Sequence, residues 1–202
     1  MRCLQAACCT LLPLQAVHAG EMFVVLSDPA LYAVEGEPPP SVDWLAQRYA
    51  RLESRASPDG GQQWLNWVVQ LPCTVARPPG GVLAGAVQAT VLPSGMAWVA
   101  YELASRHWRR GIGSAAVATM LAELVSGYGV HTALAVLKAR NAASQALLCK
   151  LGFVPGWPLA AAAAHEAVED DEIVMHRRLV QADRADSPPT GTSQAAARQH
   201  GG

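Results

Sequence analysis

One stretch of the chain concentrates residues whose types and order could do chemistry. Tyr101-Glu102-Leu103-Ala104-Ser105-Arg106-His107-Trp108-Arg109-Arg110-Gly111-Ile112-Gly113-Ser114 passes from a predicted strand, through a basic turn, into a predicted helix. Backbone N–H groups in the first turn of a helix have no intrahelical acceptor, and the aligned peptide dipoles add about half a positive charge there. Gly111 and Gly113 carry no Cβ to hold a phosphate off the backbone, and Arg109 and Arg110 add cationic donors. The combination suits a pyrophosphate. A basic, glycine-bearing turn is also an ordinary way to begin a helix, and both readings fit this segment taken alone. No Lys followed by Ser or Thr comes after the second glycine, which excludes the phosphate loop of nucleotide hydrolases. A dinucleotide loop fits no better, for want of a third glycine and of an acidic residue about twenty positions on. A phosphate-bearing cofactor of another kind is left.

A second group lies thirty residues further on. Asn141 and Ser144 have the spacing of a helix N-cap and its third residue, which capping alone explains and which cofactor contact would not contradict. Glu102, on the strand that leads into the basic turn, is the carboxylate closest in sequence to the anion site.

The elements that must position these groups are legible in the apolar spacing. Cys9 to Leu14 reads as a first strand ending near a proline, and His18 to Leu26 as a helix stopped by Ser27-Asp28-Pro29. Ser41 caps a second helix with Val42, Leu45, Tyr49 and Leu52 on one face. Trp64 to Leu71, Val82 to Leu92 and Met96 to Leu103 are short, rich in Val and Trp, and separated by Gly and Pro, as in an antiparallel meander. Trp64, Trp67 and Trp98 are expected in its core. The order then becomes helix (Gly111 to Ser126, with Val117, Met120, Leu121 and Leu124 on one face), strand (Thr132 to Leu137), helix (Ala142 to Leu151) and strand (Glu172 to Leu179). Residues 8–180 thus read as one α/β (α+β) domain. Residues 181–202, nearly devoid of aliphatic side chains, read as a disordered tail.

Composition narrows the function. The 202 residues carry a formal charge of −1, too little to neutralise a nucleic-acid backbone, and no run reaches the length of a membrane span. The cysteines, Cys3, Cys8, Cys9, Cys73 and Cys149, show no zinc or redox spacing and read as reduced thiols of a cytoplasmic protein. The six histidines are scattered singly, so no metal site is expected. Met1 to Gly20 loosely imitates a secretory signal, but Gln5, Pro13 and Gln15 interrupt its apolar region, and a first strand and helix account for it better.

Two motifs, in order, resemble one family. Trp108-Arg109-Arg110-Gly111-Ile112-Gly113 is similar to the acyl-CoA loop of the GCN5-related N-acetyltransferases (GNAT), with Trp where Gln or Arg is usual, as in the RimJ/RimL-like branch. Asn141-Ala142-Ala143-Ser144 and Lys150-Leu151-Gly152-Phe153 are similar to the family's Asn-x-x-Ser and Leu-Gly-Phe segments. Leu11-Leu12-Pro13-Leu14, Leu26-Ser27-Asp28-Pro29 and Asp171-Glu172-Ile173-Val174-Met175 extend the likeness, so that it runs from Thr10 to about Leu179.

The resemblance implies a GNAT fold, a mixed sheet of about seven strands parted between the fourth and fifth, with the pantetheine arm of acetyl-CoA adding to the opening at Leu103 and Ala104. It implies that Trp108, Arg109, Arg110, Gly111, Ile112, Gly113, Ser114 and Asn141 hold the rest of the cofactor. It further implies direct transfer of acetyl to a primary amine, either a protein N-terminus or a small amino compound, in a monomer or homodimer, with no acyl-enzyme. Two positions depart from the family pattern. Trp98 stands near the place of the usual glutamate, and Leu148 stands where many members carry a tyrosine. Glu102 becomes the first choice for the base and Ser144 for the donor to the departing thiolate, with His165, Glu166 and Glu172 as weaker candidates for the base. These departures also admit an acyl-CoA-binding sensor or scaffold without turnover. At pH 7 a lysine-like amine of pKa near 10.4 needs about 4.6 kcal/mol to lose its proton, and an α-amine near 7.8 only about 1.1 kcal/mol, so a weak base favours α-amines.

Overall fold

The computed structural model describes residues 1–34, 36–72, 81–157 and 169–180. The elements, in chain order, are β1 (Leu4–Gln5), β2 (Thr10–Pro13), α1 (Ala19–Leu26), α2 (Val42–Leu52), β3 (Gln63–Leu71), β4 (Val82–Val91), β5 (Met96–Leu103), α3 (Ile112–Tyr128), β6 (Thr132–Lys138), α4 (Ala142–Lys150), β7 (Val154–Pro155) and β8 (Glu172–Arg178). Short 3₁₀ turns precede α1 (Ala16–His18) and follow it (Pro29–Tyr32), and a third, Ser105–His107, precedes α3.

One open sheet of eight strands runs in the order β1-β2-β3-β4-β5-β6-β8-β7. Every neighbouring pair is antiparallel except β5 and β6, which are parallel. The predicted meander is β3-β4-β5. The expected seven strands become eight because β1 and β7 contribute two residues each, too few for a period-two pattern to mark them. β1 precedes residue 8 and pairs with β2 at Leu4 and Leu11.

The parting of the sheet is visible in the register. β5 stays paired with β4 up to Leu103, opposite Gly85, but with β6 only at Met96, Ala97 and Trp98. From Val99 onward the two halves separate. β6 meanwhile remains paired with β8 from Thr132 to Lys138. A Cβ at Gly85 would lie 2.0 Å from the Glu102 carbonyl oxygen, so only glycine lets β4 approach β5 this closely beside the opening.

Two apolar layers hold the sheet. On one face α3 buries Val117, Met120, Leu121 and Leu124, the predicted stripe, against Trp67, Val87, Ala97 and Val99. On the other face α1 and α2 bury Met22, Val25, Leu45 and Tyr49 against Val68 and Leu83. Ser41 caps α2 as expected, its hydroxyl accepting the Trp44 N–H at 3.1 Å. Two carboxylates pin the helices at their ends, Glu53 accepting the Ala16 N–H at 2.6 Å and Glu21 the Leu83 N–H at 2.5 Å.

The three tryptophans expected in the meander core divide. Trp67 is fully buried and its indole N–H reaches the Arg2 carbonyl at 3.0 Å. Trp64 is half-buried. Trp98 occupies the last register pair before the opening and packs instead with Met96, Leu134 and Trp157, its ring edge-on to Trp157 at 5.7 Å. The segments 160–164 and 181–202, with His165 and Glu166, lie outside the described residues.

Candidate active site

Main-chain groups supply the first part of the site. The Ala104 N–H donates to the Ala84 carbonyl at 2.8 Å. By the alternation of an antiparallel ladder, Glu102 and Ala100 then also turn their main-chain groups toward β4, and Leu103 and Tyr101 turn theirs toward the opening. Of the two positions expected to meet the pantetheine arm, Leu103 therefore offers its N–H to the gap, and the Ala104 N–H is already engaged. The Leu103 carbonyl accepts the indole N–H of Trp108, which fixes the turn against the end of β5.

Beyond the 3₁₀ turn the backbone enters the left-handed region twice, at Arg109 (φ 58°) and at Gly111 (φ 76°), the N-cap of α3. Nothing lies within 4 Å of where a Cβ on Gly111 would project, so the space in front of the helix is open. The first bond of α3 runs from the Ala115 N–H to the Gly111 carbonyl. Among the described residues no carbonyl receives the N–H groups of Arg109 to Ser114. A row of free donors at the positive end of a helix of 17 residues, flanked by the exposed Arg109 and Arg110, fits an anion. A Cβ on Gly113 would lie 3.1 Å from the Leu147 side chain of α4, so the start of α3 also packs closely there.

Asp28 links this turn to the other side of the molecule. One of its oxygens accepts the Ser105 N–H at 2.8 Å and the other the Ala30 N–H at 3.1 Å, so one side chain ties the end of α1 to the start of the basic turn. Hydrogen bonding from Ser105 holds its carboxyl below the ordinary range.

Asn141 and Ser144 stand across the opening. The Asn141 side chain accepts the Ser144 N–H at 3.1 Å, so the capping role is realised. The Ser144 carbonyl accepts the hydroxyl of Tyr101 at 3.3 Å. Tyr101 is the functional candidate that sequence reasoning passed over. It leaves β5 three residues past the last pair with β6 and spans the gap to α4. Leu148, at the family's tyrosine position, is buried in the core. The signal that could have found Tyr101 is its parity, opposite to that of Glu102.

Glu102 projects to the other face, into a cleft of about 500 Å³ between α2 and the sheet, lined among others by Tyr32, Trp44, Arg48, Tyr49, Asn66 and Gln88. Water reaches the carboxylate, which is exposed by area, yet the cleft walls surround it. Loss of bulk solvent pushes its pKa up to about 7, against the opposing pull of Arg48. Burial and the Glu102 charge also raise the Tyr49 hydroxyl well above its usual range. Glu172 lies away from this cleft, with the Lys138 ammonium 3.4 Å from it, in a cluster that also holds Glu169 and Asp171.

A family model described as an acetyltransferase (GNAT) domain matches residues 9–154. The chain belongs to the GNAT acetyltransferases. No curated protein sequence matches it. Solved structures with the same fold include RimL, the ribosomal L7/L12 α-N-protein acetyltransferase in complex with coenzyme A. At 12% identity it has a TM-score of 0.70, over 89% of this chain and 99% of that one. The ribosomal-protein-S5-alanine acetyltransferase from Vibrio fischeri aligns with TM-score 0.68 at 17% identity, over 93% and 99% of the two chains. The microcin C7 self-immunity acetyltransferase MccE, in complex with acetyl-CoA and AMP, aligns with TM-score 0.66 at 16% identity, over 86% and 93%.

As a GNAT acetyltransferase the protein is an acyltransferase, and the two faces of its parted sheet have distinct equipment. One face has the amide row and the Tyr101 hydroxyl, which reaches the Ser144 backbone. The other has the cleft and its carboxylate.

Proposed function

We propose that this GNAT acetyltransferase moves acetyl from acetyl-CoA directly to a primary amine that enters the cleft above Glu102. The observation that carries the reading is the placement of an accessible carboxylate, with its pKa pushed up to about 7, beside the unpaired edge of β5. A base of that strength is half ionised at neutral pH and lies within about one pKa unit of an α-ammonium group, so proton removal costs on the order of 1 kcal/mol.

In this reading the amides of Gly111 to Ser114, with Arg109 and Arg110, hold the diphosphate of the co-substrate, and Trp108 and Asn141 fix the segments on either side. The Leu103 N–H aligns the pantetheine arm along β5. Acetyl-CoA supplies the activated acyl group. Glu102, directly or through a water, accepts the proton of the incoming ammonium. Tyr101 and Ser144 meet on the opposite side of the strand, where the sulfur departs, and the hydroxyl of one of them donates a proton to the thiolate. Cys149 has no nucleophilic part.

The free thiols of Cys3, Cys8, Cys9 and Cys149 and the small net charge accord with a cytoplasmic enzyme that binds no nucleic acid. Among the described residues no helix is long and apolar enough to cross a membrane. The test is release of the coenzyme A thiol from acetyl-CoA in the presence of an amine panel, with products identified by mass. Amine-dependent release supports transfer. Tight acetyl-CoA binding with no release under any amine would leave the sensor reading in its place.

A further inference from the structure

Among the described residues the cleft is lined by three charged side chains, Glu37, Arg48 and Glu102. Glu102 rises from the β5 floor. Arg48 descends from α2, one turn after Trp44, and its guanidinium lies over the Trp44 ring at 5.7 Å from the centroid. Among the described residues no carboxylate comes within ion-pair distance of Arg48. Nor does any protein acceptor there receive its N–H groups. Arg48 and Glu102 face the same space and feel each other's charge without touching. The cation–π contact with Trp44 restrains the guanidinium, and so lowers the cost of ordering it around a ligand.

The rest of the lining mixes apolar and aromatic side chains, among them Leu45, Tyr32 and Tyr49, with the amides of Asn66 and Gln88. The Glu37–Pro40 segment lines the cleft as well, and a volume of about 500 Å³ suits a small molecule. A ligand that satisfies both ends carries an ammonium toward Glu102 and an anion toward Arg48. A dication could meet Glu37 as well as Glu102 but would leave Arg48 without an anion.

We infer that the acceptor is a small amine that carries its own anionic group, a carboxylate or a phosphate ester, with Arg48 as the anion-binding residue and Glu102 at the amine end. The inference rests on the transferase reading above and narrows its substrate class. It places Arg48 in binding, not in proton transfer. Arg48→Gln therefore raises KM for anionic acceptors selectively, whereas loss of its pull on the Glu102 carboxyl acts on every acceptor alike.

The experiment compares matched amines in the wild-type protein and in Arg48→Gln: an aromatic amino acid against its carboxamide, and an aminoalkyl phosphate against the parent amino alcohol, with a linear diamine as the dicationic member. The ratio of kcat/KM between members of a pair, taken across the two proteins, cancels differences in amine basicity. The expected result is a ratio that falls about tenfold or more in Arg48→Gln through KM of the anionic member, with the neutral member altered less than about threefold. The pair that shows the fall tells carboxylate from phosphate. Equal losses for both members, or a diamine preferred by the wild type, would overturn the inference while amine transfer stood. Turnover of none of these amines, with acetyl-CoA still bound, would overturn the transferase reading and this inference with it.

Discussion

Tyr101 and Glu102 are consecutive on β5 and serve opposite faces of the sheet. The Tyr101 hydroxyl reaches the Ser144 carbonyl of α4, and the Glu102 carboxylate lines the cleft beneath α2. Strand alternation sends the two side chains to opposite faces, and the end of pairing with β6 at Trp98 leaves the strand edge between them open. A thioester lying along the open edge would then have a proton acceptor on one side and hydroxyl donors on the other, without a long loop having to assemble them.

The acceptor side gives a prediction in which activity and stability move in opposite directions. Raising a carboxyl from its ordinary value to about 7 means that the native state holds the proton more tightly, so stability falls as pH rises from the ordinary carboxylate range to about 7. Glu102→Gln removes that loss. Thermal unfolding at pH 8 should show a more stable variant, by on the order of 1 kcal/mol once solvent access to the carboxylate is discounted. Turnover should fall about 10² to 10³-fold, and the limb near pH 7 in kcat/KM should vanish while any limb set by the amine persists.

The donor side separates two hydroxyls. Tyr101→Phe keeps the ring in its packed position and removes only the group that reaches α4. If Tyr101 supplies the proton, the variant slows the chemical step by about tenfold or more at saturating substrates, with acetyl-CoA affinity nearly unchanged. Ser144→Ala leaves the cap from Asn141 intact, because the Ser144 backbone N–H makes that bond. Single-turnover rates of the two variants identify the donor, and unchanged rates in both would exclude this pair.

Much of the fold was legible because helix and strand periods are distinct in this chain: the stripe on α3, the Ser41 cap and the three meander strands all lie where apolar spacing puts them. What escaped were elements too short to have a period, β1 and β7, and relationships that need register. Which face Trp98 would take, and that Tyr101 would cross to α4, follow from where β6 stops pairing with β5. The distance of a pair's partners in three dimensions is not written in one strand's sequence. The sequence offers phosphate approach as one reason for both glycines; that Gly111 sits at φ 76° and that Gly113 faces Leu147 needs α3 and α4 in place.

Gly111 offers a test of the anion site that separates charge from backbone strain. Its φ of 76° disfavours most side chains, whereas Asn and Asp tolerate that region best. Gly111→Asn and Gly111→Asp are therefore equally costly for the fold and differ only in charge at the mouth of α3. Calorimetry with coenzyme A should show the Asp variant binding on the order of tenfold more weakly than the Asn variant or worse, a difference that shrinks with added salt.

Asp28 acts at a distance from the chemistry. Asp28→Ala removes the acceptor of two backbone N–H groups and should lower unfolding stability by about 1 to 2 kcal/mol. Its depressed pKa means this contribution is present above the ordinary carboxylate range and is lost as pH falls through the lowered value. A raised KM for acetyl-CoA should accompany the loss, because Ser105 begins the turn that carries Arg109 to Ser114.

The most direct measurement is a crystal structure with acetyl-CoA bound. It should show diphosphate oxygens about 3 Å from the amides of Gly111 to Ser114, the pantetheine arm along β5 between Val99 and Leu103, and the thioester between the levels of Tyr101 and Glu102. Acetyl-CoA bound elsewhere, or an amide row left empty at saturating concentration, would contradict it.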